Sequence, residues 1–174
     1  STGSGSIASG NYSVALGSSI ASGTQSTASG NSTASGLASV GLGGANASGS
    51  HAVALGFAAT ASGNNSFALG TSVTANGTNS IAFGNYVSTS GFNGALTIGD
   101  NSTTTVMGTF VANGFRSRFA GGYRLFTTSD VTIGCFLNAG ANSWAPLSDV
   151  RLNENFLPVD GELFLQKIAE MPLT

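Results

Sequence analysis

Residues 66–70 read Ser-Phe-Ala-Leu-Gly, and near-copies of this stretch return through the first half of the 174-residue chain. The clearest copies are Ser-Val-Ala-Leu-Gly at 13–17, Ala-Val-Ala-Leu-Gly at 52–56 and Ser-Ile-Ala-Phe-Gly at 80–84. The glycines that end the repeated stretches are separated by 13, 13, 13, 14, 14 and 15 residues: Gly17, Gly30, Gly43, Gly56, Gly70, Gly84 and Gly99. This spacing indicates a structural repeat rather than a flexible Gly/Ser linker.

A second series of glycines lies between the members of the first, at steps of 13, 13, 13, 14, 14 and 14 residues: Gly10, Gly23, Gly36, Gly49, Gly63, Gly77 and Gly91. Each repeat therefore has two halves of six or seven residues, which is enough for one short strand and one corner but too short for a helix. The pattern predicts a parallel β-solenoid with two strands per coil. We expect the glycines to lie at corners that require a positive φ.

The two strands of each coil differ in their apolar pattern. In one, Ala alternates with Ser, Thr or Asn, which is typical of a strand with one buried face. In the other, large apolar residues alternate with Ala, as in Phe67-Ala68-Leu69, so that both faces are apolar. A narrow coil has one interior, so the second apolar face must meet something else, most naturally an identical neighbour. The pattern does not say which face meets the neighbour.

Charge is confined to the second half of the chain. All seven acidic and all five basic residues lie at or beyond position 100. Residues 1–99 therefore exclude a basic track for nucleic acid, a catalytic carboxylate pair and a carboxylate site for a hard metal ion. His51 and Cys135 each stand alone, and we interpret both as surface or packing residues. We expect no metal and no cofactor. We also expect no membrane insertion, because no apolar run reaches spanning length and no signal peptide opens the chain. Both ends look like cuts in a longer protein.

The repeated stretches, with Ala-Ser-Gly between them, resemble the head repeats of trimeric autotransporter adhesins of the YadA type. The resemblance covers residues 6–99, with degenerate coils at Ser26–Gly30 and Ser39–Gly43. It implies a trimeric left-handed parallel β-roll with coils of 13–15 residues, exposed on a cell surface and used for attachment.

The second half is predicted to be β-rich, with strands near Thr105–Val111, Phe115–Phe119, Tyr123–Thr127 and Val131–Leu137 in a small antiparallel meander. A short C-terminal helix follows, with Asp160 as N-cap and an apolar stripe of Phe164, Ile168 and Met171. The fold class is thus all-β apart from this helix. We divide the chain into β-roll repeats at 1–99, a β-rich tip or connector at 100–147, and a further stub at 148–174.

Residues 142–156, Asn-Ser-Trp-Ala-Pro-Leu-Ser-Asp-Val-Arg-Leu-Asn-Glu-Asn-Phe, together with 121–128 and 159–174, resemble the start of the intramolecular chaperone domain of phage tailspikes and related fibres. The family domain trimerises a fibre and then cuts the chain before a Ser, with a Lys five residues later as base. The resemblance makes Ser148 the nucleophile but puts Asn153 at the Lys position. Because an amide cannot accept the hydroxyl proton, we expect self-cleavage to be lost.

Five residues of the second half are candidates for ligand binding: Arg116, Arg118, Tyr123, Arg124 and Trp144. Arginine and aromatic side chains together can recognise a glycan or an acidic ligand, or can pack between subunits. Trp144 can stack on a ligand or anchor its own loop.

The sequence therefore predicts a non-enzymatic extracellular fibre tip, a homotrimer that binds a glycan or protein ligand on a target cell and is assembled by a C-terminal chaperone. The alternative is a phage tail fibre or tailspike segment, located on the virion and matured by autoproteolysis before Ser148. A depolymerising tailspike is a weaker alternative, because a glycosidase usually needs two carboxylates in a groove.

Overall fold

The chain forms a parallel β-solenoid followed by a small antiparallel sheet and one short helix. The computed structural model describes residues 4–146 and 160–171. Two compact units are present, Ser1–Ala120 and Gly121–Thr174. The predicted fold class is confirmed in these terms.

The solenoid consists of two eight-stranded parallel sheets, with successive strands of the chain alternating between them. The first, called here the apolar sheet, contains β2 (Val14–Leu16), β4 (Thr27–Ser29), β6 (Val40–Leu42), β8 (Val53–Leu55), β10 (Phe67–Thr71), β12 (Ile81–Asn85), β14 (Leu96–Gly99) and β16 (Phe115–Arg118). The second, called the polar sheet, contains β1 (Ile7–Ala8), β3 (Ile20–Ala21), β5 (Thr33–Ala34), β7 (Asn46–Ala47), β9 (Thr60–Ala61), β11 (Thr74–Ala75), β13 (Val87–Ser88) and β15 (Met107–Gly108).

Small residues line the interior between the two sheets: alanine at most inward strand positions, with buried Ser, Thr and Val such as Ser26, Thr97 and Val73 beside them. The register aligns each Ala with the Ala of the next coil, as in the pairing of Ala54 with Ala68 and of Ala61 with Ala75. The inward alanines have no exposed surface: Ala15, Ala28, Ala54, Ala68 and Ala82 from the apolar sheet, and Ala21, Ala34, Ala47, Ala61 and Ala75 from the polar sheet. Ladder hydrogen bonds such as Val40 N to Ala52 O, at 2.9 Å, join successive coils.

The two glycine series have different physical causes. In the series that ends the apolar strands, Gly17, Gly30, Gly43, Gly56, Gly70 and Gly84 have positive φ, as expected, whereas Gly99 does not. In the other series the expectation holds for Gly91 and is wrong for the remaining members: Gly10, Gly23, Gly36, Gly49, Gly63 and Gly77 do not have positive φ. A Cβ at Gly49 would overlap the carbonyl oxygen of Gly63 in the next coil. Close approach between coils, not backbone conformation, therefore requires these glycines.

The positive φ at that corner belongs to the residue two positions later. These residues form one row along the solenoid, with φ between 50° and 59°: Tyr12, Gln25, Ala38, His51, Asn65 and Asn79. Five asparagines lie near corners of the coils, and Asn tolerates a positive φ better than most residues. Asn31 adopts this conformation, whereas Asn11, Asn64, Asn76 and Asn85 do not.

The solenoid extends beyond Gly99, where the glycine series end. Strand β15 pairs in parallel with β13, and β16 pairs in parallel with β14. The first two of the four predicted meander strands thus continue the solenoid, and the pairing expected for them is wrong.

The antiparallel sheet, called here the small sheet, is formed in the second unit by β17 (Gly122–Phe126), β18 (Gly134–Asn138) and β19 (Ala145–Pro146). The helix α1 spans Gly161–Ala169, and the Asp160 side chain accepts hydrogen bonds from the backbone N–H groups of Glu162 and Leu163 at 3.1 and 3.3 Å. The predicted N-cap is confirmed. The described part of the chain contains no helix with the length and apolar character that a membrane span requires.

We expect Gly49→Ala to destabilise the solenoid, because the added methyl group meets backbone that cannot rotate away. Overpacking of this kind costs about 1 to 3 kcal/mol. Urea unfolding followed by circular dichroism measures the loss. The matched control is Gly121→Ala, where no atom lies within 4 Å of the added Cβ. Equal stability of the two variants would contradict the close-approach explanation.

Candidate functional site

The apolar sheet carries its large side chains on its outward surface. Val14 is 45 % exposed and Phe83 is also 45 % exposed, while the Ala between such residues is buried. The register aligns the outward positions in two rows. The rows are Val14, Thr27, Val40, Val53, Phe67, Ile81 and Leu96, and Leu16, Ser29, Leu42, Leu55, Leu69, Phe83 and Ile98. We call this surface the apolar face.

The outward surface of the polar sheet differs in chemistry. Its aligned row begins with Ile7 and Ile20 but continues with Thr33, Asn46, Thr60, Thr74 and Ser88. The sequence did not show which apolar face of these strands points away from the interior, and the structure of the single chain does. Alanine fills the interior, and the large residues of the apolar sheet form the face that has no partner within the solenoid.

A charged cluster lies at the last coil of the solenoid. The Arg118 guanidinium donates from Nε to Asp100 Oδ1 at 3.2 Å, from Nη1 to the Thr105 carbonyl at 2.9 Å, and from Nη2 to the carbonyls of Asn85 at 3.2 Å and Asp100 at 3.1 Å. The side chains of Arg118 and Asp100 are each 20 % exposed. Arg118 thus ties the loop that begins at Asp100 to β12 and to the end of β16.

The Asp100 carboxylate is held in its charged form by several hydrogen bonds. It accepts from the backbone N–H of Ala120 at 2.6 Å and from the Ser102 hydroxyl at 2.7 Å, in addition to Arg118. These donors, with the Ala120 N–H as the largest contribution, lower the pKa of Asp100 from 3.8 to about 2.

Arg116 occupies the position that Ala or Thr fills in earlier coils, since it aligns with the buried Thr97. Its Nη1 donates to the Gly108 carbonyl, and its guanidinium lies 3.8 Å from the ring centroid of Phe110. We call Arg116, Arg118 and Asp100 the end cap. Both arginines bind groups of their own chain, and a role for them in ligand binding stays a prediction.

Of the other predicted ligand residues, Tyr123 and Arg124 lie in β17 of the small sheet, and Trp144 directly precedes β19. The Tyr123 and Trp144 rings are 6.2 Å apart between centroids, at an interplanar angle of 56°. Arg124 alternates with Tyr123 along β17 and therefore lies on the opposite face, with its guanidinium 5.6 Å from the Phe136 ring centroid. The structure brings Tyr123 and Trp144 together and separates Arg124 from them.

Ser148 and Asn153, the predicted self-cleavage pair, lie outside the described residues.

His51 is exposed, and its Nδ1 lies 3.0 Å from the Ser50 hydroxyl. Farther along the same corner, the Asn65 side-chain amide donates to Asn79 Oδ1 at 3.1 Å. Across 4–146 and 160–171, no group of three His, Cys, Asp or Glu residues has the arrangement of a metal site.

Sequence reasoning missed Asp100 as the centre of the end cap. A signal was present, because Asp100 is the first charged residue of the chain and directly follows the last glycine of one series. What the sequence does not contain is the distance in space between Asp100 and Arg118, which are 18 residues apart and meet because one coil separates them.

The comparison with family models identifies the solenoid coils. The model of the YadA head domain repeat (2 copies) matches residues 2–19, 18–33, 47–72 and 74–86. The predicted similarity to YadA-type head repeats is confirmed, while the chaperone resemblance stays a prediction. The matched segments omit 34–46, where Gly41 stands at the inward position that Ala occupies in neighbouring coils. No curated protein matches the chain closely enough to add a second comparison.

We expect Asp100→Asn to lower the unfolding midpoint near neutral pH. Because the pKa of Asp100 is depressed in the folded state, its stabilising contribution is complete above the ordinary value of 3.8 and disappears as the pH falls through about 2. The difference between parent and variant should therefore shrink as the pH falls from 4 towards 2. Thermal unfolding followed by circular dichroism measures it, with Glu170→Gln as the control carboxylate. A difference that does not change with pH would contradict the assignment.

Proposed function

We propose that the chain is part of a homotrimeric, non-enzymatic adhesive fibre, exposed on a cell surface and attached to a glycan or protein ligand of a target cell. The observation that carries the proposal is the uncharged apolar face, repeated coil after coil on a solenoid similar to YadA-type head repeats. Heads of that type are trimeric surface adhesins.

The chemistry of the apolar face favours a second copy of the chain as its partner. Residues 1–99 contain no Asp, Glu, Lys or Arg. The apolar face therefore has no charge that could attract a partner of opposite charge. Its side chains recur with the spacing of stacked parallel strands, about 4.8 Å. A second copy of the same solenoid has the same spacing between its strands, so its apolar side chains can match those of the first.

Burial of the apolar face supplies the free energy of association. Full burial of a Val, Leu or Phe side chain is worth about 1.5 to 3 kcal/mol. Residues such as Leu16, Leu42 and Ile81 are 39, 37 and 42 % exposed in the single chain, so each contributes part of that amount when a neighbour covers it. A row of such residues on each copy favours a stable assembly rather than a transient encounter.

Attachment would then depend on avidity, because a trimer presents each weak ligand site three times. The Tyr123 and Trp144 pair supplies aromatic surface of the kind on which sugar rings stack, and its exposed Trp144 supports this choice. Arg124, Arg116 and Arg118 complete the proposed set of ligand-binding residues.

Assembly by a C-terminal chaperone is the second part of the proposal, and it is supported by the sequence resemblance over 121–128, 142–156 and 159–174. The alternative source of such a segment is a phage tail fibre or tailspike. In either case Asn153 replaces the base that a cut before Ser148 requires.

We expect Leu55→Asp to convert the trimer to a folded monomer that attaches weakly to cells. Each substituted copy loses part of the roughly 1.5 to 3 kcal/mol that full burial of a Leu side chain is worth, and three carboxylates approach one another. Light scattering measures the mass, and binding to whole cells and to a glycan panel measures attachment. The control is Thr60→Asp, on the outward surface of the polar sheet. A monomeric parent protein would overturn the trimer.

We expect Asn153→Lys to restore cleavage of the Leu147–Ser148 bond if the segment descends from a self-cleaving chaperone. An amine at this position can accept the Ser148 proton, whereas the amide cannot. A denaturing gel of the full-length protein, with Asn153→Gln as control, separates the two cases. An uncut chain would eliminate the Ser–Lys interpretation.

A further inference from the structure

Because the coils of the solenoid are similar, identical copies can associate either with equal coils side by side or displaced by one coil along the solenoid. The outward rows of β6, β8, β10 and β12 are all apolar, so a copy displaced by one coil buries nearly the same surface as a copy in register. The hydrophobic effect has no direction and depends on area, so it distinguishes poorly between these arrangements. Something other than the apolar rows must penalise displacement.

Strand β4 breaks the pattern of the apolar face. Thr27 and Ser29 stand where the strands on either side have Val14 with Leu16 and Val40 with Leu42. Among the eight strands of the apolar sheet, all within residues 4–146, β4 is the one with hydroxyl groups at both outward positions. We call Thr27 and Ser29 the polar layer.

The hydroxyls of the polar layer are partly exposed in the single chain and form no side-chain hydrogen bond with another described residue. In an assembly in register, the polar layers of three copies lie at one height, where their hydroxyls can bond to one another or to shared water. A displacement by one coil in either direction places them against Val and Leu. A buried hydroxyl without a partner is unfavourable, so the displaced assembly is destabilised.

We infer that the polar layer fixes the register in which copies of this chain associate along the apolar face. The inference rests on the homotrimer proposed above and adds how its copies are aligned. The physical basis is the one by which a single buried polar position selects the register of a coiled coil at some cost in stability.

The test uses disulfide formation between layers in the full chain. In a Cys135→Ser background, one version carries Leu55→Cys and another Leu69→Cys, which mark adjacent coils of the apolar face. The two are co-expressed and oxidised, with and without the substitutions Thr27→Val and Ser29→Leu. Since a disulfide requires Cα atoms within about 7 Å, products between equal layers report correct register and mixed products report displacement.

In the parent we expect disulfides between equal layers to predominate. Removal of the polar layer should raise the mixed product to a level comparable with the equal-layer product, while light scattering still shows a trimer and the melting temperature does not fall. A trimer in which the equal-layer product still predominates after the substitutions would overturn the inference and leave the proposed trimer intact. A trimer without equal-layer disulfides in the parent would overturn the choice of face. A monomeric parent would overturn the proposed function itself.

Two further variants separate register from stability. Ser62 is exposed and directly follows β9, and Thr60→Val with Ser62→Leu therefore makes the same chemical change on the polar-sheet side of the solenoid. This variant should leave the mixed product at the parent level. Adding Val40→Thr and Leu42→Ser to the variant that lacks the polar layer moves this layer by one coil, and it should restore the predominance of the equal-layer product. Failure of this transfer would show that the effect depends on the β4 position alone and would contradict the mechanism.

Discussion

The narrow space between the two solenoid sheets is the constraint on which the rest of the structure depends. Most inward strand positions hold Ala, and Gly41 shows how close the opposite wall lies, since a Cβ there would stand 3.0 Å from the Thr33 carbonyl oxygen. A Leu or Phe does not fit in such an interior. The large residues of each coil therefore point outward, and the fold creates an apolar surface that it cannot cover by itself.

The same constraint explains how the solenoid ends. No further coil covers the interior of the last coil or pairs with the edges of its strands. Repeat proteins usually cover such an end with a terminal unit that differs from the repeats. Here Arg116 replaces the small inward residue, and Arg118 donates to three carbonyl groups, one at the end of β12 and two in the loop that begins at Asp100, while Asp100 balances its charge. Charge is absent from residues 1–99, and the first three charged residues of the chain, Asp100, Arg116 and Arg118, all lie at this end, where the last strands have no following coil.

Periodicity was sufficient to predict the solenoid, its two strands per coil and the capped helix, because glycine spacing and capping are local properties. It was not sufficient to assign the faces of β8 or β10, since Ala and Leu are both apolar and either can be buried. The cause of the Gly49 series was also mispredicted, because close approach between coils is a property of the stacked structure. Asp100 and Arg118 are brought together by one long coil, which no local pattern encodes.

The corner formed by Tyr12, Gln25, Ala38, His51, Asn65 and Asn79 has a consequence for how such a protein can change. The backbone there adopts a left-handed conformation in every coil, yet it accepts aromatic, amide, imidazole and methyl side chains, because neighbouring coils hold it in place. Point mutations at this corner can alter the chemistry of the exposed surface while leaving the stacking of coils unchanged. The inward alanines and the closely packed glycines are therefore constrained by the stacking of coils, whereas the corner positions can vary without changing it.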